Sequence, residues 1–300
     1  IELKPNSDQA IYNLGIVLRA LGKLQEAEVS ALKAIELNPN FAMAHSHLGM
    51  ILLQKGEYES SLKHLSKGCK LLENEKTKKS YKNSFTRISQ AKIEHDIEQF
   101  EYLASQCDES EKFKNLALLY KTVNAEVNWP SETYLISLSH KHQSILKDSY
   151  NRILHLGKAP KLNKEAINNS LDVKKITNNY FNHEFGLTYI DNFLSFKALE
   201  SLRKYFLEST IWFDVKPGGY LGAYLKEGLA NPLIFQIADE LRKKIPKIFK
   251  DHPINSIWAY KYDSRAKNEN SSLKGINVHA DQAAVNVNFW ITPKEANLNP

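Results

Sequence analysis

The feature that most constrains this chain is an internal repeat with a period of 34 residues. Leu14-Gly15 recurs as Leu48-Gly49, Gly22 as Gly56, Ala27 as Ser61, Leu37 as Leu71 and Pro5 as Pro39. A fixed period of this length means stacked supersecondary units, each too small to bury its apolar face alone. Each unit reads as two helices: Asp8 to Leu21 with Leu24 to Leu37, then Phe41 to Gln54 with Tyr58 to Leu72. The small residues Gly15, Gly49, Ala27 and Ala31 allow close helix approach, Gly22 and Gly56 suit the inter-helix turns, and Pro39 stops the second helix.

That spacing is the signature of the tetratricopeptide (TPR) repeat. The opening stretch Ile1-Glu2-Leu3-Lys4-Pro5 matches Ile35-Glu36-Leu37-Asn38-Pro39, so an earlier repeat is expected ahead of it. His45 and His47 are two apart on a helix, where side chains diverge; they are expected to face solvent or line a groove rather than hold a metal.

After the repeats, helical patterning continues. Ile88, Ile93, Ile97, Phe100 and Leu103 share one apolar face, and further amphipathic helices are expected near Glu109 to Val123 and Ser131 to Leu146. From Lys158 to Asn179 the chain turns rich in Lys, Asn and Pro without periodicity, as a linker does. Beyond residue 185 strands alternate with helices. Leu187 to Asp191, Tyr220 to Tyr224, Ser256 to Tyr262, Gly275 to Asp281 and Val285 to Thr292 read as strands; Ser195 caps a helix to Glu208, and Pro232 to Phe249 forms another. The division is therefore 1–74 repeats, 75–157 helical extension, 158–184 linker and 185–300 an α+β unit.

In the last strands, Trp258, Tyr260 and Tyr262 alternate onto one face. So do Asn277, His279 and Asp281, and then Asn286, Asn288 and Trp290. Residues two apart in a strand share a side, so the His279 imidazole and the Asp281 carboxylate are able to grip one ion. Two histidines and a carboxylate on one face of Fe(II) leave open positions for a co-substrate and O2. A solvent-facing polar stripe on an antiparallel sheet has the same spacing. His252 sits beside Pro253 in a turn before these strands, a common place for a histidine.

The runs Asp191-Asn192-Phe193-Leu194-Ser195, Trp258-Ala259-Tyr260-Lys261-Tyr262-Asp263-Ser264, Gly275-Ile276-Asn277-Val278-His279-Ala280-Asp281 and Val285-Asn286-Val287-Asn288-Phe289-Trp290-Ile291-Thr292-Pro293 together resemble bacterial TPR proteins with a C-terminal 2-oxoglutarate/Fe(II)-dependent oxygenase domain, more distantly the prolyl 4-hydroxylase type. The resemblance implies a multidomain α plus α+β chain: a TPR α-solenoid, a helical linker, and the N-terminal part of a double-stranded β-helix, or jelly roll. It implies a dioxygenase using Fe(II) and 2-oxoglutarate, with His279 and Asp281 as metal ligands. Tyr262 and Tyr260 would stand at the co-substrate, with Asn288 and Asn286 as further pocket contacts. It also implies a distal histidine and a basic residue beyond Pro300, so this stretch alone is expected to be inactive. The alternative is a TPR interaction scaffold carrying an inactive barrel.

Partners on these readings are O2 and a protein or peptide in the TPR groove. Lysines are spread along the chain and the net charge is +6, with no basic stripe interleaved with aromatics, so nucleic acid is not expected. No apolar run reaches membrane length. Cys69 and Cys107 form no framework, which suits a reducing cytoplasm. Neither a dinucleotide-binding nor a phosphate-binding glycine motif is present for a transferase, nor a nucleophile elbow for a hydrolase.

Overall fold

The computed structural model describes residues 7–78, 87–130, 135–216, 219–262, 281 and 283–296. The two repeat units form as the period demands. The first is α1 (Asp8–Ala20) and α2 (Leu24–Leu37); the second is α3 (Ala42–Lys55) and α4 (Tyr58–Lys78). Ser7 caps α1 by accepting from the Ala10 amide, which satisfies one of the unpaired donors of the first turn. Gly56 ends α3 at φ 81°, a left-handed conformation that a side chain would oppose. At Gly49 the requirement is space: a Cβ there would lie 2.6 Å from Leu65 Cγ, so the glycine is what lets α3 lie against α4.

The middle region is a helical pair with its own core. It runs β1 (Arg87–Ile88), α5 (Gln90–Gln106), α6 (Ser110–Glu126), β2 (Ile136–Ser137) and α7 (His140–Leu146). Ile93, Phe100, Leu103, Phe113, Tyr120 and Val123 fill the space between α5 and α6. The helix expected over 131–146 is shorter than its pattern. Ile136 pairs with Ile88 in a two-residue ladder, and the Ser139 hydroxyl caps the helix by accepting from His142 N.

The C-terminal region contains α8 (Val173–Asn182), α9 (Phe196–Glu208), β3 (Asp214–Lys216), β4 (Tyr220–Tyr224), α10 (Pro232–Lys244), α11 (Pro246–Phe249) and β5 (Trp258–Tyr262). Ser195 caps α9 through the Ala198 amide, as expected. The helix expected from Pro232 to Phe249 is broken at Ile245, because Pro246 has no N–H to donate and crowds the preceding turn. The segment expected to be a linker is packed. Ala159, Ala166 and Ile167 are buried, Glu240 of α10 accepts from the Ala166 and Ile167 amides, and Gln236 donates to Lys164 O. From Leu162 to Ile167 its backbone groups find side-chain partners on α10, and Val173–Asn182 within it is the helix α8, capped by Asp172.

Strands β3, β4 and β5 form one antiparallel sheet in that order. No jelly roll is present among the described residues. Leu187 to Asp191 is irregular, and so is the described stretch from 285 to 292. In the latter, the apolar alternation serves individual side chains. Phe289 packs on Phe193 at 5.7 Å, Ile291 and Val285 reach neighbouring cores, and the Ile291 carbonyl accepts from Arg203 Nε at 2.6 Å instead of from a ladder.

The last repeat unit is joined to the C-terminal region. Leu53 and Leu65 belong to one buried core with Leu202, Tyr205, Phe235 and Leu221, and Met50, Tyr58 and Leu62 pack against it. At the rim Arg242 Nη1 donates to Tyr58 Oη at 3.1 Å, and Gln54 Nε2 donates to Asn255 Oδ1 at 2.6 Å. From the middle region, Gln99 Nε2 donates to Leu207 O and Ser209 O.

Candidate functional site

The surface of the repeats differs sharply between its two ends. On α3, Met50 packs on the C-terminal core and Gln54 bridges Asn255 and Arg19, accepting from Arg19 Nε at 3.0 Å. His47 is buried, its ring edge-on to Tyr12 at 5.7 Å. On α1, by contrast, Leu14, Ile16, Val17 and Leu21 are all exposed. Single exposed apolar side chains are ordinary; here Leu14, Val17 and Leu21 share one side of α1 and its C-cap, with Ile16 about a quarter turn away.

The histidines of α3 correct an expectation. His45 and His47 are buried rather than solvent-facing. His45 Nε2 lies 3.1 Å from Pro39 O, and its Nδ1 lies 3.0 Å from His64 Nδ1 of α4, the two rings stacked at 5.3 Å. Burial lowers the pKa of both rings, and each is lowered further by a nearby lysine. The contact between the two rings links α3 to α4.

With this geometry in view, the comparisons with known proteins are direct. Residues 9–41 match one tetratricopeptide-repeat family and residues 30–63 match a second. The N-terminal region is a tetratricopeptide-repeat array. A TPR repeat-containing thioredoxin of Arabidopsis thaliana is 35% identical over 65 residues, a stretch that covers 22% of this chain and 10% of that protein.

Outside the TPR units, the expected oxygenase residues are only partly brought together. Tyr260 and Tyr262 lie on β5 on one sheet face, as the alternation requires. The register pairs Tyr262 with Tyr220, Tyr260 with Gly222 and Trp258 with Tyr224. Tyr220 stacks on Tyr262 at 4.7 Å and meets Tyr260 edge-on at 5.3 Å. At the β3 end of the same face, Asp214 Oδ2 accepts from Tyr224 Oη at 2.8 Å and pairs with Lys216 Nζ at 2.6 Å. The hydrogen bond to Asp214 raises the Lys216 pKa; burial, then Asp214, raises that of Tyr224. The opposite face buries Leu221 and Ala223.

Asn286 and Asn288 do not stand on a strand of this sheet; they are exposed on irregular backbone. Asn286 Nδ2 donates to Asp281 Oδ2 at 3.2 Å. His279 lies outside the described residues. His252 is exposed in the turn after α11. Among the described residues no three His, Cys, Asp or Glu side chains converge as a metal site, and no helix is long and apolar enough to cross a membrane.

A buried ionic cluster in α5 was not foreseen. Lys92 Nζ donates to both Asp96 oxygens at 2.5 Å, and His95 Nδ1 lies 3.1 Å from Asp96 Oδ1. Lys92 Nζ lies over the Tyr150 ring at 5.3 Å, and the His95 ring meets Trp212 edge-on at 6.0 Å. Its signal was available: Lys92 and Asp96 are i and i+4 on a helix, beside the apolar positions Ile93, Ile97 and Phe100. Such spacing also describes an ordinary exposed pair, and only the packing of Tyr150 over Lys92 and of Trp212 on His95 separates the two.

Proposed function

We propose that this chain is a protein-interaction scaffold whose TPR units recruit a protein partner through α1. The observation that carries this is the pair of TPR units itself, matched at residues 9–41 and 30–63, with the apolar row of Leu14, Val17 and Leu21 exposed on α1. An exposed apolar face of that extent favours burial against a partner. The test is a photo-crosslinking amino acid placed at Ile16 of the full chain in an extract of its source cells. A discrete protein adduct that disappears in Leu14→Glu is the expected result. If only unmodified chain is recovered, the scaffold reading fails.

A second reading is that the C-terminal region serves a 2-oxoglutarate/Fe(II)-dependent dioxygenase. What favours it is the face of β5, which sets Tyr260 and Tyr262 beside Tyr220. Such a centre would use Asp281 as its carboxylate ligand, to which Asn286 Nδ2 donates at 3.2 Å. Succinate release in the presence of Fe(II) and 2-oxoglutarate, abolished by His279→Ala, would support this reading. Turnover that is unchanged in His279→Ala would remove the metal assignment.

A further inference from the structure

The apolar cluster between α8 and α11 has an outer rim of aromatic rings that nothing in the chain covers among the described residues. Ile176, Ile245, Ile248 and Tyr180 pack within the cluster. Next to them Phe181 is 60% exposed, Phe185 80% and Tyr189 85%. Phe185 stands on an ordered turn. The Gly186 amide donates to His183 O at 3.0 Å, and the Phe185 amide donates to His183 Nδ1 at 3.2 Å. Gly186 has φ 61°, and a Cβ there would come within 3.2 Å of the Tyr180 ring, so glycine lets the turn close onto α8. A tight turn thus holds a phenyl ring out in water, at a cost that burial against another apolar phase would recover.

The charges beside these rings are mainly positive. Phe181 and Pro246 line an open groove of about 470 Å³ with Lys247 and Lys250, which lie three residues apart on α11 and its C-cap. Lys174 precedes Phe181 by seven residues on α8 and so shares its side of the helix. Among the described residues none of these three ammonium groups has a carboxylate within ion-pair distance, whereas Lys243 and Lys244 on α10 are paired with Asp239 and Glu165. Glu184, beside Phe185, and Asp251, after Lys250, are the opposing charges next to them in the chain.

We infer that this surface docks on an anionic membrane, with Lys174, Lys247 and Lys250 at the lipid headgroups and Phe181 and Phe185 entering the interface. Two features select a bilayer over a folded protein. The rings project from separate elements, a helix and a turn, and a fluid interface receives each of them without a matching shape. Unpaired lysines around aromatic side chains also complement a layer that is anionic at its surface and apolar just beneath. The contact is peripheral and needs no spanning helix. It is independent of the partner assigned to α1: a TPR scaffold docked in this way would hold that partner at a membrane surface.

The test is flotation of the full chain with phosphatidylcholine vesicles, with and without about a third phosphatidylserine. Binding to the anionic vesicles and not to the neutral ones is expected, and it should weaken as salt is raised. Each lysine removed should weaken it about fivefold, so Lys174→Gln, Lys247→Gln and Lys250→Gln together should cost about a hundredfold. Glu184→Gln should strengthen it. Phe185→Ser should release the chain from the vesicles. In Phe185→Trp the emission added to that of the parent should shift to the blue on binding and be quenched by brominated acyl chains. All of these side chains are exposed, so melting curves that match the parent's are the control for folding. A chain that ignores the anionic vesicles overturns the inference, as does binding that survives the triple lysine change or Phe185→Ser undiminished. Binding of the parent that salt leaves unaltered overturns it without any variant. So does a photo-crosslinker at Phe185 that captures a protein while the vesicles go unbound, since the face would then be a protein-binding one.

Discussion

Replacing Asp96 with asparagine is expected to destabilise the protein by about 3–5 kcal/mol, the usual cost of leaving one member of a buried ion pair uncompensated. Both side chains of the pair are almost fully enclosed, at 4% and 7% exposure for Lys92 and Asp96. Asp96 is the acceptor for Lys92 and also the partner of His95, so the substitution strips the Lys92 ammonium of its counter-charge where water does not reach it. The double variant Lys92→Met with Asp96→Leu should recover most of the loss, because an apolar pair of similar volume is tolerated where a lone charge is not. Urea midpoints of the three proteins check this; an Asp96→Asn midpoint within experimental error of the parent would show that the cluster is not closed to water.

The same cluster sets an acid limit. Burial pushes the His95 pKa down to about 4, although its hydrogen bond with Asp96 opposes the shift. The folded state thus holds His95 neutral while the unfolded chain protonates it near 6.5. Between those two values the unfolded state binds more protons, so stability falls as pH drops, by up to about 1.4 kcal/mol per pH unit. Burial works to raise the Asp96 pKa, but Lys92 and His95 outweigh it and hold it below the ordinary value of 3.8. The stability due to Asp96 is present above the unfolded value and is lost only as pH falls further, through its folded value. His95→Gln should flatten the loss between pH 6.5 and 4 and, because His95 also helps hold the Asp96 pKa down, should move the fall due to Asp96 to higher pH.

Truncating Leu65 to alanine is expected to cost about 2–5 kcal/mol. Leu65 fills the space that Gly49 leaves between α3 and α4, and it belongs to the same buried core as Leu202, Tyr205 and Phe235. A cavity at this point loosens the TPR units and the C-terminal region together. Far-ultraviolet circular dichroism and the near-ultraviolet aromatic signal should therefore shift to a lower midpoint in a single coincident transition. Separate transitions, with only the helical signal displaced, would mean that Leu65 supports the repeats alone.

The amino-acid sequence by itself determined the TPR units. Gly15, Gly49, Gly22, Gly56 and the alanines of α2 act through local spacing and close approach, and such constraints recur at a readable period. It also determined β4, β5 and the capped start of α9, where alternation or a Ser195 cap acts within a few residues. The tertiary structure decided what depends on distant partners. His45 is buried with His64 and Pro39 O against it, and within the expected linker 162–167 is held by Gln236 and Glu240 while Val173–Asn182 is a helix. The alternation of 285–292 was read as a strand, yet Phe193 and Arg203 take up its side chains and a carbonyl in place of a neighbouring strand. Lys92 and Asp96 became a buried charge pair because Tyr150 lies over Lys92, while Trp212 packs on the neighbouring His95. On α1 the row of Ala10, Leu14 and Val17 was present in the sequence from the start. Only the structure set its exposure apart from the burial of its counterparts Ala44, Leu48 and Ile51, since periodicity specifies which residues share a side and packing alone specifies what lies against it.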